Sequence, residues 1–338
     1  MTNKKILVVG TTSDYIEILA ARAPGRLIFI TDIQERAGAL FPLSVRADEL
    51  VLDLEDERAV LRTVLRYLDE NKVTLSGIVC FDCESLPLAS AVAVGVDVPF
   101  PSYSSAMACR NKFVLKQIWQ KHDVPSARAR LIRSTQDIKD YFRSTNMPAV
   151  MKPLFGSGSE LVFLCENEDI AAVTYGLISQ RLKKHKNRRM YGSIHHRKQH
   201  FGRESILLEQ FIPGEEYSCD FILDQGEVRV IRMVKKFSHQ KASFGTTAAY
   251  ILPAEYPAGW DPMRLGNVLK HAAGSLGLTR ALAMVDFKIH NGEISLLELT
   301  PRIGGDCLPP LISASCGLDM LQAALDFAEG KTIQVPDI

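Results

Sequence analysis

The residues best suited to chemistry lie in one run, Ala283 to Asp306. Two apolar stretches flank Asn291-Gly292, a dipeptide that favours a tight hairpin turn. Counting outward from that turn, Asp286 on the first stretch and Glu298 on the second reach a similar level of the ladder. There their side chains can share one face. Adjacent carboxylates repel unless a cation lies between them, and Mg²⁺ with phosphates completing its shell fits that need. Arg302 follows with a guanidinium fork, and Gly304 and Gly305 offer backbone N–H groups, both suited to an anion. A solvated hairpin with scattered charges is the competing interpretation. The order acid, turn, acid, Thr300, Pro301, Arg302 and glycine pair, after phosphate-type signals upstream, favours binding.

Those upstream signals begin at Lys152, near the end of an apolar strand from Ala149. Gly156-Ser157-Gly158-Ser159 follows, then a partner strand from Leu161 to Cys165. Glycines between two strands form a mobile loop whose N–H groups can cup phosphates. The Lys152 ammonium can reach the same anion.

The elements that must position these residues can also be read from the pattern. Strands at 5–10, 26–32 and 76–81 alternate with helices at Tyr15–Ala23, Asp53–Asp69 and Leu86–Val94. This predicts a parallel α/β unit covered on both faces. Gly10 and Asp32 stand where a dinucleotide-binding turn and a ribose-binding acid would lie. Gly10-Thr11-Thr12-Ser13-Asp14, however, lacks the second and third glycines of that fingerprint. Pro99 and Pro101 mark a boundary, and a helix is expected from Ser104 to His122, carrying Arg110, Asn111 and Lys112. After the small α+β region around Lys152, an antiparallel meander is expected. Its strands are 205–212, 216–223 and 228–234, turned at Pro213-Gly214 and Asp224-Gln225-Gly226. Helices at Asp261–Gly274 and Leu318–Gly330 complete the pattern.

A chain of 338 residues, 46% hydrophobic and 23% charged, has the composition of a globular protein with two or three compact units. Its net charge of +1 gives no general reason to expect nucleic acid or an anionic membrane. No apolar run reaches the roughly 18–20 residues needed to span a bilayer. The short run Ile6–Val9 does not make a signal-peptide core. Seven scattered cysteines, Cys80, Cys83, Cys109, Cys165, Cys219, Cys307 and Cys316, suggest reduced thiols in the cytoplasm. Cys80 and Cys83 form one C-x-x-C pair, open to a redox or metal role. Residues 170–203 hold nine Lys or Arg, four His and no acid. This stretch, densest over 181–203, allows three readings: a solvated helix and loop, a docking surface for an acidic partner, or a metal site through His196 and His200.

In the order and spacing of these signals the chain resembles the ATP-grasp superfamily of carboxylate ligases over nearly its whole length. The resemblance implies a Rossmann-like parallel domain over residues 1–103, a linker helix and small lid over 104–205, and an antiparallel C-terminal lobe with the metal site over 206–338. It implies that Lys112 stands at the back of an ATP pocket and Lys152 bridges the α- and β-phosphates. Gly156, Ser157, Gly158 and Ser159 would close over the phosphates. Glu209, Gln210, Phe211 and Ile212 would read the adenine edge, with Glu209 near the exocyclic amine, and Glu216 would hold the ribose. Asp286 and Glu298 would ligate Mg²⁺ (Mn²⁺ is also suited), and Arg302 would face the γ-phosphate and the reacting carboxylate. Where the family pattern has asparagine as a further ligand, this chain has Thr300. Lys235, Lys236, His239 and Lys241 fall where the family carries substrate contacts, and Asp306 is suited to gripping an amino group. The implied reaction is activation of a carboxylate as an acyl phosphate and its transfer to an amine of an amino acid or small peptide, in an enzyme type that is often dimeric. Loading of an acidic carrier protein docked at the basic stretch, nucleotide sensing without catalysis, and carboxylation are the alternatives.

Overall fold

The computed structural model describes residues 4–39, 46–192, 201–202, 204–238, 243–257 and 260–336. The N-terminal unit contains β1 (Lys4–Val9), α1 (Ser13–Arg22), β2 (Leu27–Asp32), α2 (Ile33–Ala37), β3 (Glu49–Leu52), α3 (Glu57–Glu70), β4 (Thr74–Val79) and α4 (Leu86–Val96). Its strands pair in parallel in the order β3-β2-β1-β4. Alternation along β1 explains the two covered faces. Leu7 and Val9 pack with Val60 and Val64 of α3 and with Leu88 and Val92 of α4. Ile6 and Val8 face the other way.

The expected single linker helix is two helices, α5 (Tyr103–Arg110) and α6 (Lys112–Lys121). Asn111 breaks them. Its backbone is extended, and its side-chain Oδ1 accepts from the Phe113 and Val114 N–H groups, capping α6. The lid follows: β5 (Ala129–Ile132), α7 (Thr135–Thr145), β6 (Ala149–Pro153), β7 (Phe163–Cys165), α8 (Glu168–Lys184), α9 (Arg188–Tyr191) and β8 (Ile206–Gln210). Its antiparallel sheet has the order β5-β8-β6-β7. The strand at 206–210 therefore belongs to the lid, and the predicted meander starts one strand later. Gly214, at φ +104°, brings the chain against the Ile289 carbonyl, where a Cβ has no room. The Pro213-Gly214 segment thus passes the chain from one sheet to the next instead of folding it into a hairpin.

The C-terminal lobe contains β9 (Glu215–Asp224), β10 (Glu227–Ser238), β11 (Thr247–Ile251), α10 (Pro262–Ser275), β12 (Ala281–His290), β13 (Glu293–Thr300), α11 (Leu308–Cys316) and α12 (Met320–Ala328). The antiparallel order is β11-β10-β9-β12-β13. Trp119 of α6 and Leu265 and Leu269 of α10 pack on one face with Phe221, Phe287 and Leu299. Leu321, Leu325 and Phe327 of α12 turn back to cover Ile6, Val8 and Phe29 of the first unit. The chain's end thus completes the core of its beginning. Among the described residues no single helix is long and apolar enough to cross a membrane.

Candidate active site

The hairpin of β12 and β13 carries the predicted carboxylates. Asn291 (φ +50°) and Gly292 (φ +77°) both adopt the left-handed backbone that a two-residue turn of this kind requires. The register sets Asp286 directly opposite Glu298. On its other side Asp286 faces Ser218 of β9, while Glu216 of β9 lies opposite both Lys288 of β12 and Lys236 of β10. These pairings put a row of ionic groups on one sheet face. The Lys236 Nζ lies 2.8 Å from Glu216 Oε1 and 3.2 Å from Asp286 Oδ2. A lysine thus supplies positive charge beside the pair. Burial still lifts the Asp286 carboxyl to about 6 against the pull of Lys236. Burial would lift Glu298 too, but Lys112, Lys152, Lys236 and Arg302 outweigh it and hold that carboxyl below the usual range.

The lid supplies the facing wall. Lys152, near the end of β6, is buried and its Nζ lies 2.8 Å from Glu209 Oε2 on β8. Lys112, at the start of α6, donates to the Gly156 carbonyl at 2.6 Å. Burial pulls its ammonium down. In the loop after β6, Gly156 at φ +118° lies against the Tyr191 ring, where an added Cβ would come within 2.8 Å. Ser157 donates to Glu84 of the N-terminal unit at 3.4 Å.

Two adjoining cavities result. The smaller, about 120 Å³, is lined by Lys112, Lys152, residues 156–160, Glu209–Ile212, Glu216, Asp286 and Glu298. The larger, about 430 Å³, shares the loop, Lys112, Lys236, Asp286 and Glu298, and adds Thr300, Arg302, Gly305 and Asp306. The donor set suits a nucleotide. Glu209 Oε1 is buried without a hydrogen-bond partner among the described residues, so it can accept from an amino group. Two lysines and a glycine loop meet the carboxylate pair where phosphates would lie. No three His, Cys, Asp or Glu side chains converge as a metal cluster among the described residues. A hard cation here would depend on phosphate oxygens to complete its shell.

Several predicted roles are changed by the structure. The Gly304 N–H is not free for a bound anion. It donates to Asp220 Oδ1 at 2.7 Å, and a Cβ at Gly304 would meet Arg232 Nη2 at 2.9 Å. Lys235 points away from Lys236, to the far side of β10, and pairs with Glu215. Neither cavity is lined by it. His239 and Lys241 lie outside the described residues, as do His196 and His200. Asp306 is exposed and accepts from the Tyr250 hydroxyl at 3.4 Å. Asp32 caps α2 and lies 3.7 Å from Arg189 Nε. Asp82 and Ser85 fill the space a side chain at Gly10 would need, so the first βα turn is closed. Cys80 and Cys83 are unbridged thiols. Cys83 accepts from Arg302 Nε at 3.2 Å, and burial pushes its thiol up, away from the reactive thiolate. In the basic stretch, Arg189 turns inward to Ser85, whereas Arg181, Lys183, Lys184, Lys186 and Arg188 are exposed.

Sequence reasoning gave Cys83, Glu84 and Arg110 no place in this site, though the N-terminal unit and α5 bring them to the larger cavity. It also missed the buried pair Asp220–Arg232 beneath Gly304. Nothing in their spacing marks the first three, though Asp220 and Arg232 each interrupt an apolar run, Cys219 to Leu223 and Val230 to Val234, and that was a signal available to be read.

Comparison with known proteins agrees with this geometry. Residues 145–310 match the family model described as ATP-grasp domain. Dapdiamide A synthase of Enterobacter agglomerans is 21% identical over 248 residues, covering 72% of this chain and 54% of that protein. The L-amino acid ligase of Bacillus licheniformis superposes with a TM-score of 0.74 at 21% identity, over 97% of this chain and 75% of that one. The ADP complex of purK, N5-carboxyaminoimidazole ribonucleotide synthetase, gives 0.72 at 15% identity, over 100% and 80%. The chain spans about half the length of the curated relatives it matches first.

Proposed function

The chain carries an ATP-grasp domain, and from that premise we propose that it is an ATP-dependent carboxylate–amine ligase acting on an amino acid or small peptide. One observation carries the reading. The Asp286–Glu298 pair borders both cavities, the smaller edged by the lysines and glycine loop and the larger by Arg302. A phosphoryl group lying over the pair would be reached from both sides.

In this reading Glu209 to Ile212 hold the adenine edge, Glu216 the ribose, and Lys112 and Lys152 the phosphates. Asp286 and Glu298, with Thr300 beside them, would hold Mg²⁺, which would supply positive charge against the phosphates. Lys152 has to exchange Glu209 for phosphate. A substrate carboxylate oxygen in the larger cavity attacks the γ-phosphorus in line, an O–P bond forms, and ADP leaves. Arg302 and Lys236 bear on the equatorial oxygens, so catalysis is positioning and electrostatics. The 156–159 loop shields the acyl phosphate from water. An amine then attacks the acyl carbon, the C–N bond forms, phosphate departs with the C–O electron pair, and the amine loses a proton. The dapdiamide and L-amino acid ligase relatives support this class of acceptor.

The test is ADP release with Mg-ATP against amino acids offered singly and in pairs, with mass spectrometry of every active mixture. A product equal to both partners minus water is expected. ATP binding with no ADP release from any pair would overturn the reading.

A further inference from the structure

Beside the larger cavity lies another, about 780 Å³, which shares Glu84 and Arg110 with it. It sits past the C-terminal ends of β3 and β4 at the N-terminal unit's edge, where open parallel sheets generally take ligands. Its outer wall is the α9 segment of the lid. Arg189 fastens that segment to Ser85 and approaches Asp32, and the Arg110 guanidinium donates to the Arg189 carbonyl and, at 3.3 Å, to the Glu84 carbonyl. Arg110 is only 9% exposed, so this junction is built and not a surface accident.

The charges lining the cavity are unevenly committed. Asp56 caps α3, Asp53 accepts from the Glu55 N–H, and Glu57 accepts from the Tyr103 hydroxyl. Arg58 of α3 and Arg188 of α9 are both exposed, and their guanidiniums, like the exposed Glu55 carboxylate that also lines the cavity, form no ion pair or hydrogen bond with the described residues. Two uncommitted guanidinium forks therefore face a space large enough for more than one amino-acid residue. At the mouth, Glu84 touches Ser157 of the glycine loop, at the edge of the acyl-phosphate chamber.

We propose that this second cavity seats the amine acceptor, and that the acceptor is an amino acid or short peptide retaining a free carboxylate. Arg58 and Arg188 take that carboxylate, and Glu84 holds the amine at the junction. This rests on the ligase reading and assigns Arg188, where the basic stretch lines the cavity, to substrate recognition.

Hydroxylamine separates the two claims, because it traps an acyl phosphate without needing a carboxylate contact. The experiment measures, for wild type and an Arg58→Ala/Arg188→Ala double variant, kcat/KM for an amino-acid acceptor divided by kcat/KM for hydroxylamine. The same ratio is taken for the acceptor's carboxamide. In the wild type the free acid should exceed its carboxamide by at least about tenfold, the scale of a lost charge-assisted contact. In the double variant the acid should fall to the level of the carboxamide, through the acceptor KM. Hydroxamate formation with equal acid and carboxamide ratios, or with ratios unmoved by the double substitution, would overturn the acceptor site and leave the ligase reading standing. No hydroxamate with any donor acid in the wild type would overturn both.

Discussion

Asp286 and Glu298 face each other in a partly dry site, and that arrangement is unfavourable without neighbouring cations. Lys236 touches Asp286, and Lys112, Lys152 and Arg302 surround Glu298. Glu298 is thus held ionised by residues that would also contact phosphate, whereas at Asp286 burial outweighs Lys236 and raises the carboxyl. We expect Glu298→Ala to lower ATP turnover by at least about a hundredfold, the scale of removing one transition-state electrostatic contact, with an unchanged circular dichroism spectrum. Normal turnover would refute the metal assignment. Beneath them, Asp220 and Arg232 form a pair that is almost wholly buried, and Asp220 also holds the Gly304 N–H. Asp220→Ala leaves a buried guanidinium unpaired and should cost about 3–5 kcal/mol in urea unfolding. A loss under about 1 kcal/mol would mean that water or another group takes the aspartate's place.

At the scale of elements, how much could be read ahead depended on the range of the cause. The β12–β13 hairpin was legible because Asn291-Gly292 and a two-residue alternation are local signals. Counting from that turn alone pairs Asp286 with Leu297; an irregularity between Asp286 and Phe287 moves the pairing on by one residue, to Glu298, and nothing local marked it. The break at Asn111 was missed because apolar periodicity continues across it, while one capping side chain ends the first helix. Membership of β8 in the lid was hidden because pairing with β5 and β6 is long-range, and Pro213-Gly214 has the appearance of a turn. Helix α6 carries a further consequence. Lys116, 1% exposed, donates to the Leu296 carbonyl of β13 at 2.8 Å, and burial pulls its ammonium down to about 8. The unfolded value is about 10.4. Below about pH 8 both states carry the charge and the burial penalty is felt in full. Between about 8 and 10.4 the unfolded state holds more protons, so stability rises with pH. Relative to Lys116→Met, the native chain should gain up to about 3 kcal/mol across that window. Parallel urea stabilities at pH 7.5 and 10 would contradict this.

For the whole molecule, the site is assembled where three sheets meet. The N-terminal unit brings Cys83 and Glu84, the lid brings Lys152 and the glycine loop, and the C-terminal lobe brings the carboxylates and Arg302. Convergence of this kind leaves no mark in spacing, which is why residues within local motifs could be placed in the pocket and those of its N-terminal wall could not. Helix α12 ties the lobes together by packing on β1 and β2, so the chamber between them has a fixed back and a lid at the front. Such a vessel suits an intermediate that water would destroy. The central claim, that a carboxylate oxygen takes the γ-phosphoryl group, is tested most directly with a donor acid labelled with ¹⁸O at both carboxylate oxygens. The released phosphate is examined by mass spectrometry after product forms. One ¹⁸O per phosphate is the predicted result; unlabelled phosphate accompanying product would contradict activation through an acyl phosphate.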